Sequence, residues 1–209
     1  MGDRSSDSVP RLEGPDGDGV FTLHLGHNEN RITRSSIAAL HSALDQIERT
    51  AGPTACVICS SGKFFCNGLS IRELSRESEE FLRIFQQLLK RLFGFPVPLV
   101  AAINGHAFGG GAMLACVCDY RVMSKDRGFL CVNEVLIGLP LTPGDAEVLK
   151  AARSLAASVA ALGENRVVYG SIKRGIYARE LKALDEGPGS AAEFIEKMKE
   201  RGPATRPKL

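Results

Sequence analysis

The stretch from Leu99 to Pro140 constrains the chain more than any other: LVAAINGHAFGGGAMLACVCDYRVMSKDRGFLCVNEVLIGLP. An apolar strand pattern runs into three consecutive glycines and a short apolar helix pattern, then a second strand pattern. A single carboxylate, Glu134, follows among apolar residues. Glycines at a helix start let another group approach the backbone closely, and their N–H groups can hold an oxyanion. A carboxyl with apolar neighbours can hold or release a proton near neutral pH.

Upstream, the pattern alternates between elements. VFTLHLG from Val20 reads as a strand. Ser35 or Ser36 then caps a helix whose stripe is Ile37, Leu40, Leu44 and Ile47. Ala55 to Ser60 is a second strand, ended by SSGK, and FFCNGLS from Phe64 to Ser70 is a tight glycine-containing turn. The set Phe81, Ile84, Phe85, Leu88, Leu89, Leu92 and Phe93 predicts an amphipathic helix over 78–93, stopped by GFPVP. Strands follow at Val97 to Ile103 and Tyr120 to Met123. Strand and helix in this alternation predict an α/β fold with parallel pairing. Beyond Pro140 the texture turns helical, at Asp145 to Leu162, Asn165 to Leu184 and Ala191 to Arg201. The expected organisation is a tail over 1–18, a core over 19–142, C-terminal helices over 143–186 and a second tail over 187–209.

Composition removes several function classes. Of 209 residues, 44% are hydrophobic and 24% charged, and Lys plus Arg (26) exceed Asp plus Glu (24) by only two. That balance gives no argument for a nucleic-acid partner or a membrane surface. Trp is absent, so a base-stacking platform has little to build on. No apolar run reaches the roughly 18–20 residues that span a bilayer, and the polar, acidic start carries no secretory pattern.

Cys56, Cys59, Cys66, Cys116, Cys118 and Cys131 sit in apolar or glycine-rich context, as reduced thiols do. Cys56 and Cys59 form a CxxC, but inside a strand, where residues three apart point to opposite faces. His24, His27, His41 and His106 show no metal-ligand spacing, and His24 and His106 read as structural. GGGAML lacks the last glycine of a dinucleotide fingerprint, and no GK[ST] or GxSxG is present. Lys173, Arg174 and Lys182 could meet phosphates, with a solvated helix face as the favoured account.

FFCNGLS, AAINGHAFGGGAMLACVCDYRV and NEVLIGLP, in this order and spacing, resemble the crotonase superfamily of enoyl-CoA hydratases and isomerases. Within it the chain is most similar to plant-type Δ3,Δ2-enoyl-CoA isomerases. The match runs from about Val20 to Pro140 and resumes from about Asp145 into YGSIKRGIY. The resemblance implies a crotonase-like ββα spiral core with closing C-terminal helices. It also implies that the N–H groups of Leu69 and Gly110 hold the thioester oxygen and that Glu134 is the acid/base. Asn67, Gly68, Ser70, Ile71 and Asn133 would line the substrate, an acyl-CoA thioester. Coenzyme A would arrive as part of the substrate, with no separate cofactor and no metal.

Two departures bear on the chemistry. Met113 stands where hydratases of the family carry a second Glu, and methionine cannot move a proton, which favours isomerisation over water addition. Ser70 replaces an Asp common at the end of its motif. The family's AxEAxxxGLV-like stretch is missing, because LPLTPGD passes almost directly into LKAARSLAAS. Two function classes therefore stand: a fatty-acid β-oxidation isomerase, and an inactive CoA-thioester binder or assembly partner on the same scaffold. The final PKL resembles a peroxisomal address read by an import receptor, with the cytoplasm as the alternative location. A homo-oligomer, a trimer by resemblance, is expected.

Overall fold

In the computed structural model, residues 9–131 and 145–185 are described. The elements run β1 (Arg11–Glu13), β2 (Val20–His24), α1 (Arg34–Arg49), β3 (Ala55–Cys59), β4 (Phe64–Cys66) and α2 (Ile71–Phe93). Next come β5 (Leu99–Ile103), β6 (His106–Phe108), α3 (Gly110–Cys116), β7 (Tyr120–Met123) and β8 (Leu130–Cys131). The chain continues with α4 (Asp145–Val159), a 3-10 turn (Ala160–Gly163), α5 (Arg166–Ile176) and α6 (Ala178–Asp185).

Two sheets result. The larger has strand order β1-β2-β3-β5-β7, and the smaller has β4-β6-β8. Apart from the antiparallel edge strand β1, all pairings are parallel, as the strand–helix alternation predicted. The period of two divides the large sheet into two faces. Cys56, Ile58, Leu99, Ala101 and Ile103 join one core with the stripes of α1 and α2 and with Leu114 of α3. Ala55, Val57, Cys59, Val100 and Ala102 join the other with Ala152 and Ala156 of α4 and Ala160 after it. The two cysteines of the CxxC thus lie in opposite cores, and all six are free thiols.

Several expected boundaries move. Residues 11–13, expected in the tail, form β1, whose register pairs Arg11 with His24. The cap of α1 is Thr33 rather than Ser35 or Ser36: its hydroxyl accepts from the Ser36 N–H, and Ser36 Oγ accepts from the Thr33 N–H. This reciprocal pair satisfies two helix-start donors that one serine could not. Helix α2 begins at Ile71, seven residues before the expected 78, across a kink at Glu77 (φ −145°, ψ 64°). Its first turns carry little buried apolar surface (Ile71 is exposed), so periodicity could not find them. The predicted helix over 165–184 breaks at Tyr177 into α5 and α6. The segment 64–70 is a short strand followed by the turn, rather than a turn throughout.

Candidate active site

Loop 67–70, between β4 and α2, is held from outside. Ile32 bridges Leu69 in parallel: the Ile32 N–H donates to the Gly68 carbonyl and the Ser70 N–H to the Ile32 carbonyl, both at 2.8 Å. In such a bridge the residue between the two partners turns its own N–H to the other side. Arg31 adds bonds from Nη1 to the Asn67 carbonyl (3.0 Å) and the Leu69 carbonyl (3.4 Å), and its Nε pairs with Glu29 at 2.6 Å. Asn30, buried at φ +52°, donates from Nδ2 to the Phe64 carbonyl at 2.8 Å. Sequence reasoning passed over Asn30 and Arg31. The available signal was the polar cluster HNENRI between a strand and a helix, since Asn tolerates the left-handed region better than most residues.

The second strand of the site, β6, turns into α3 through Gly109 (φ +51°, ψ −120°). The first helical bond of α3 runs from the Met113 N–H to the Gly109 carbonyl, which leaves the earlier N–H groups outside the helix ladder. The loops meet here. A Cβ placed on Gly68, whose φ is +83°, would lie 3.0 Å from the Phe108 carbonyl oxygen and 3.5 Å from the Gly110 nitrogen. One placed on Gly110 would lie 3.1 Å from Leu69 Cγ. Leu69 and Gly110 are therefore neighbours, although 41 positions separate them in sequence. Among the described residues, neither N–H has a hydrogen-bond acceptor. At seven residues α3 is about two turns long, so the individual N–H groups, rather than a summed helix dipole, would set the field here.

Met113 lies three positions after Gly110 on α3, hence on the same face, half-buried against the main core. Asn67, Gly68, Leu69, Ser70, Ile71 and Gly110 are brought to one end of the small sheet. Ser70 is buried at the N-cap position just before α2, but its side chain makes no capping bond to the helix. Asn133 and Glu134 lie outside the described residues.

Other titratable groups belong to the scaffold. Among the described residues, His106 is buried with neither ring nitrogen hydrogen-bonded, surrounded by Phe64, Phe108 and Phe129 at 4.8–5.6 Å between ring centroids. Burial, then Lys63, lowers its pKa and keeps the ring neutral. Cys59 Sγ lies 3.3 Å from His24 Nδ1, and His24 Nε2 lies 3.3 Å from Glu13. Burial pushes the Cys59 thiol up to about 12, so the sulfur keeps its proton. Lys173, expected on a solvated face, is buried: it pairs with Asp119 at 3.0 Å and donates to the Leu92 carbonyl at 3.3 Å. Arg174 is exposed, as that expectation held. No cluster of three or more potential metal ligands occurs among the described residues, and none of their helices is long and apolar enough to cross a membrane.

The model of the family described as enoyl-CoA hydratase/isomerase matches residues 16–206. Enoyl-CoA delta isomerase 3 of Arabidopsis thaliana is 35% identical over 131 residues, covering 58% of this chain and 55% of that protein. The peroxisomal enoyl-CoA delta isomerase 1 of the same plant is 30% identical over 187 residues, covering 86% and 75%. A probable enoyl-CoA hydratase of Bacillus subtilis is 32% identical over 187 residues, covering 86% and 69%. Among solved structures, the apo enoyl-CoA isomerase of Mycobacterium tuberculosis superposes with a TM-score of 0.74 at 24% identity, covering 90% of this chain and all of that one. That likeness extends to the fold. The chain spans little more than half the length of the first of these relatives. With the family model matching nearly its whole length, the chain belongs to the crotonase-type enoyl-CoA hydratase/isomerase family.

Proposed function

We propose that the chain moves the double bond of a 3-enoyl-CoA to give the 2-trans-enoyl-CoA of fatty-acid β-oxidation. The observation that carries this reading is the pair of adjacent N–H groups at Leu69 and Gly110, free of acceptors among the described residues. In the reaction, Glu134 takes a proton from the α-carbon of the thioester. The electrons shift into a dienolate whose oxygen accepts from the two N–H groups, and Glu134 returns the proton at the γ-carbon. One carboxyl serves both transfers, so nothing is oxidised, reduced or added, and no separate cofactor is needed. Losing one such donor costs about 2.7–4 kcal/mol of transition-state stabilisation. Asn67, Gly68, Ser70, Ile71 and Asn133 line the thioester in this reading.

Met113 supports isomerisation over hydration. It occupies the face of α3 beside Gly110 with a thioether that can neither donate nor accept a proton in water addition. The peroxisomal name of one relative supports a peroxisomal location, and a homo-oligomer completes the reading.

Purified protein incubated with 3-hexenoyl-CoA tests it by the rise in absorbance of the conjugated 2-enoyl product. Turnover that falls by at least 10³-fold in Glu134→Gln is expected. Binding of the thioester without turnover would instead identify an inactive CoA-thioester binder. Water addition to 2-hexenoyl-CoA would identify a hydratase despite Met113.

A further inference from the structure

The C-terminal helices leave one apolar surface open. Of the ten exposed large apolar side chains among the described residues, five fall between 162 and 176. Val168 (50% exposed), Ile172 (56%) and Ile176 (67%) recur every four positions and form a stripe along α5. Leu162 and Val167 flank it. The opposite face of α5 is already used: Gly170 packs against Pro96, and Lys173 is bonded to Asp119 and Leu92. A patch of this kind on a soluble domain marks a contact surface.

We propose that residues 191–201 of the same chain cover this stripe. The family match continues to residue 206, so these residues belong to the matched domain rather than to an appended tail. Their apolar positions, Ala191, Phe194, Ile195 and Met198, have the i, i+3, i+4, i+7 spacing of one helix face. From Ala191 to Met198 that face is about 10 Å long, and the α5 stripe from Val168 to Ile176 is about 12 Å. The connection also reaches. Five residues, 186–190, separate α6 from this stretch and extend up to about 17 Å. Packed helices need only 8–10 Å between axes. Gly187, Pro188 and Gly189 in that link permit the chain to turn back. The inference does not depend on the catalytic reading.

A cross-link in the full chain tests it, with Cys116 and Cys131 first replaced by serine. Ile172→Cys combined with Ile195→Cys joins the centres of the two apolar faces, whichever way the segment runs. Ile172→Cys combined with Glu196→Cys has the same reach but the wrong face. Under mild oxidation the first pair is expected to form a disulfide within one chain at least tenfold faster than the second. Equal rates, or no disulfide in either, overturn the proposal. A disulfide only between chains overturns it in favour of a second copy as the occupant. Hydrogen exchange on the unmodified chain gives an independent readout: peptides covering 166–176 and 191–201 are both expected to be protected, and unprotected 191–201 amides overturn the proposal.

Discussion

A Cβ added at Gly111 would lie 2.2 Å from the Cys66 carbonyl oxygen, whereas one at Gly110 would meet the ends of Leu69 and Phe85 side chains at 3.1–3.3 Å. Backbone cannot yield at 2.2 Å, but side chains can yield by a few tenths of an ångström. Gly111→Ala is therefore expected to lower stability by about 3 kcal/mol or more, read as a fall in Tm. Gly110→Ala should cost about 1 kcal/mol of stability, yet reduce kcat in the isomerase assay by displacing Leu69. Equal losses of stability would contradict this division. The glycine run was visible in the sequence, but the separate duties of its members were not. They depend on Cys66 and Leu69, which arrive from another strand and loop. The thiols make a second prediction at this scale. Burial pushes Cys59 and Cys118 up to about 12 and Cys56 also upward, from an ordinary value near 9. Between pH 9 and 12 the unfolded chain has released these protons and the folded chain has not, so the folded state binds more protons and stability falls as pH rises. Each thiol contributes up to about 1.4 kcal/mol per pH unit. Thermal melts from pH 8 to 10.5 should show Tm falling beyond pH 9, with a shallower slope in Cys118→Ala.

Lys173 decides how α5 is attached. Its ammonium and the Asp119 carboxylate are nearly buried, and Asp119 also accepts from the Leu99 N–H at 2.8 Å, which ties the helix to the start of a central strand. Removing one partner leaves an uncompensated buried charge, so Lys173→Ala is expected to cost about 3–5 kcal/mol in urea denaturation. Lys173→Met combined with Asp119→Asn removes both charges and should recover at least half of that loss; no recovery would show that packing, not charge, carries the effect. The sequence marked α5 as helical but read Lys173 as solvated, because its partner lies 54 positions earlier in a segment that reads only as the lead into a strand. Helix α1 and the apolar part of α2 were legible for the opposite reason. Their signal is local periodicity, and the buried stripes match it: Ile37, Leu40, Leu44 and Ile47 in α1, and Phe81, Phe85, Leu88, Leu89 and Leu92 in α2, with Ile84 and Phe93 half-buried beside them.

At the scale of the whole molecule, the sheet is covered on one face by α1, α2 and α3 and on the other by α4, through alanines that let the helix approach closely. The second cover is clasped at its far end. The Thr54 N–H donates to the Ala160 carbonyl at 3.0 Å, and Arg166 reaches the Thr50 carbonyl and the Thr54 hydroxyl, the latter at 3.1 Å. Gly163 sits between these contacts, where an added Cβ would lie 2.1 Å from the Thr54 carbonyl oxygen and 3.2 Å from Pro98 Cδ. No flexible side chain can absorb the first contact. Gly163→Ala must therefore separate the 3-10 turn from the strand end and release the C-terminal helices from the lower rim of the sheet. The alanine face of α4 then loses its hold, exposing Val57, Val100 and Ala102. The expected result is enhanced binding of an apolar dye and early proteolytic cleavage within 145–185, while amides of β3 and β5 stay protected because the larger core is untouched. A Gly163→Ala variant with unchanged proteolysis and dye binding would show that the C-terminal helices are held by the α4 face alone. Loss of protection throughout β3 and β5 would show that the two cores fold as one unit.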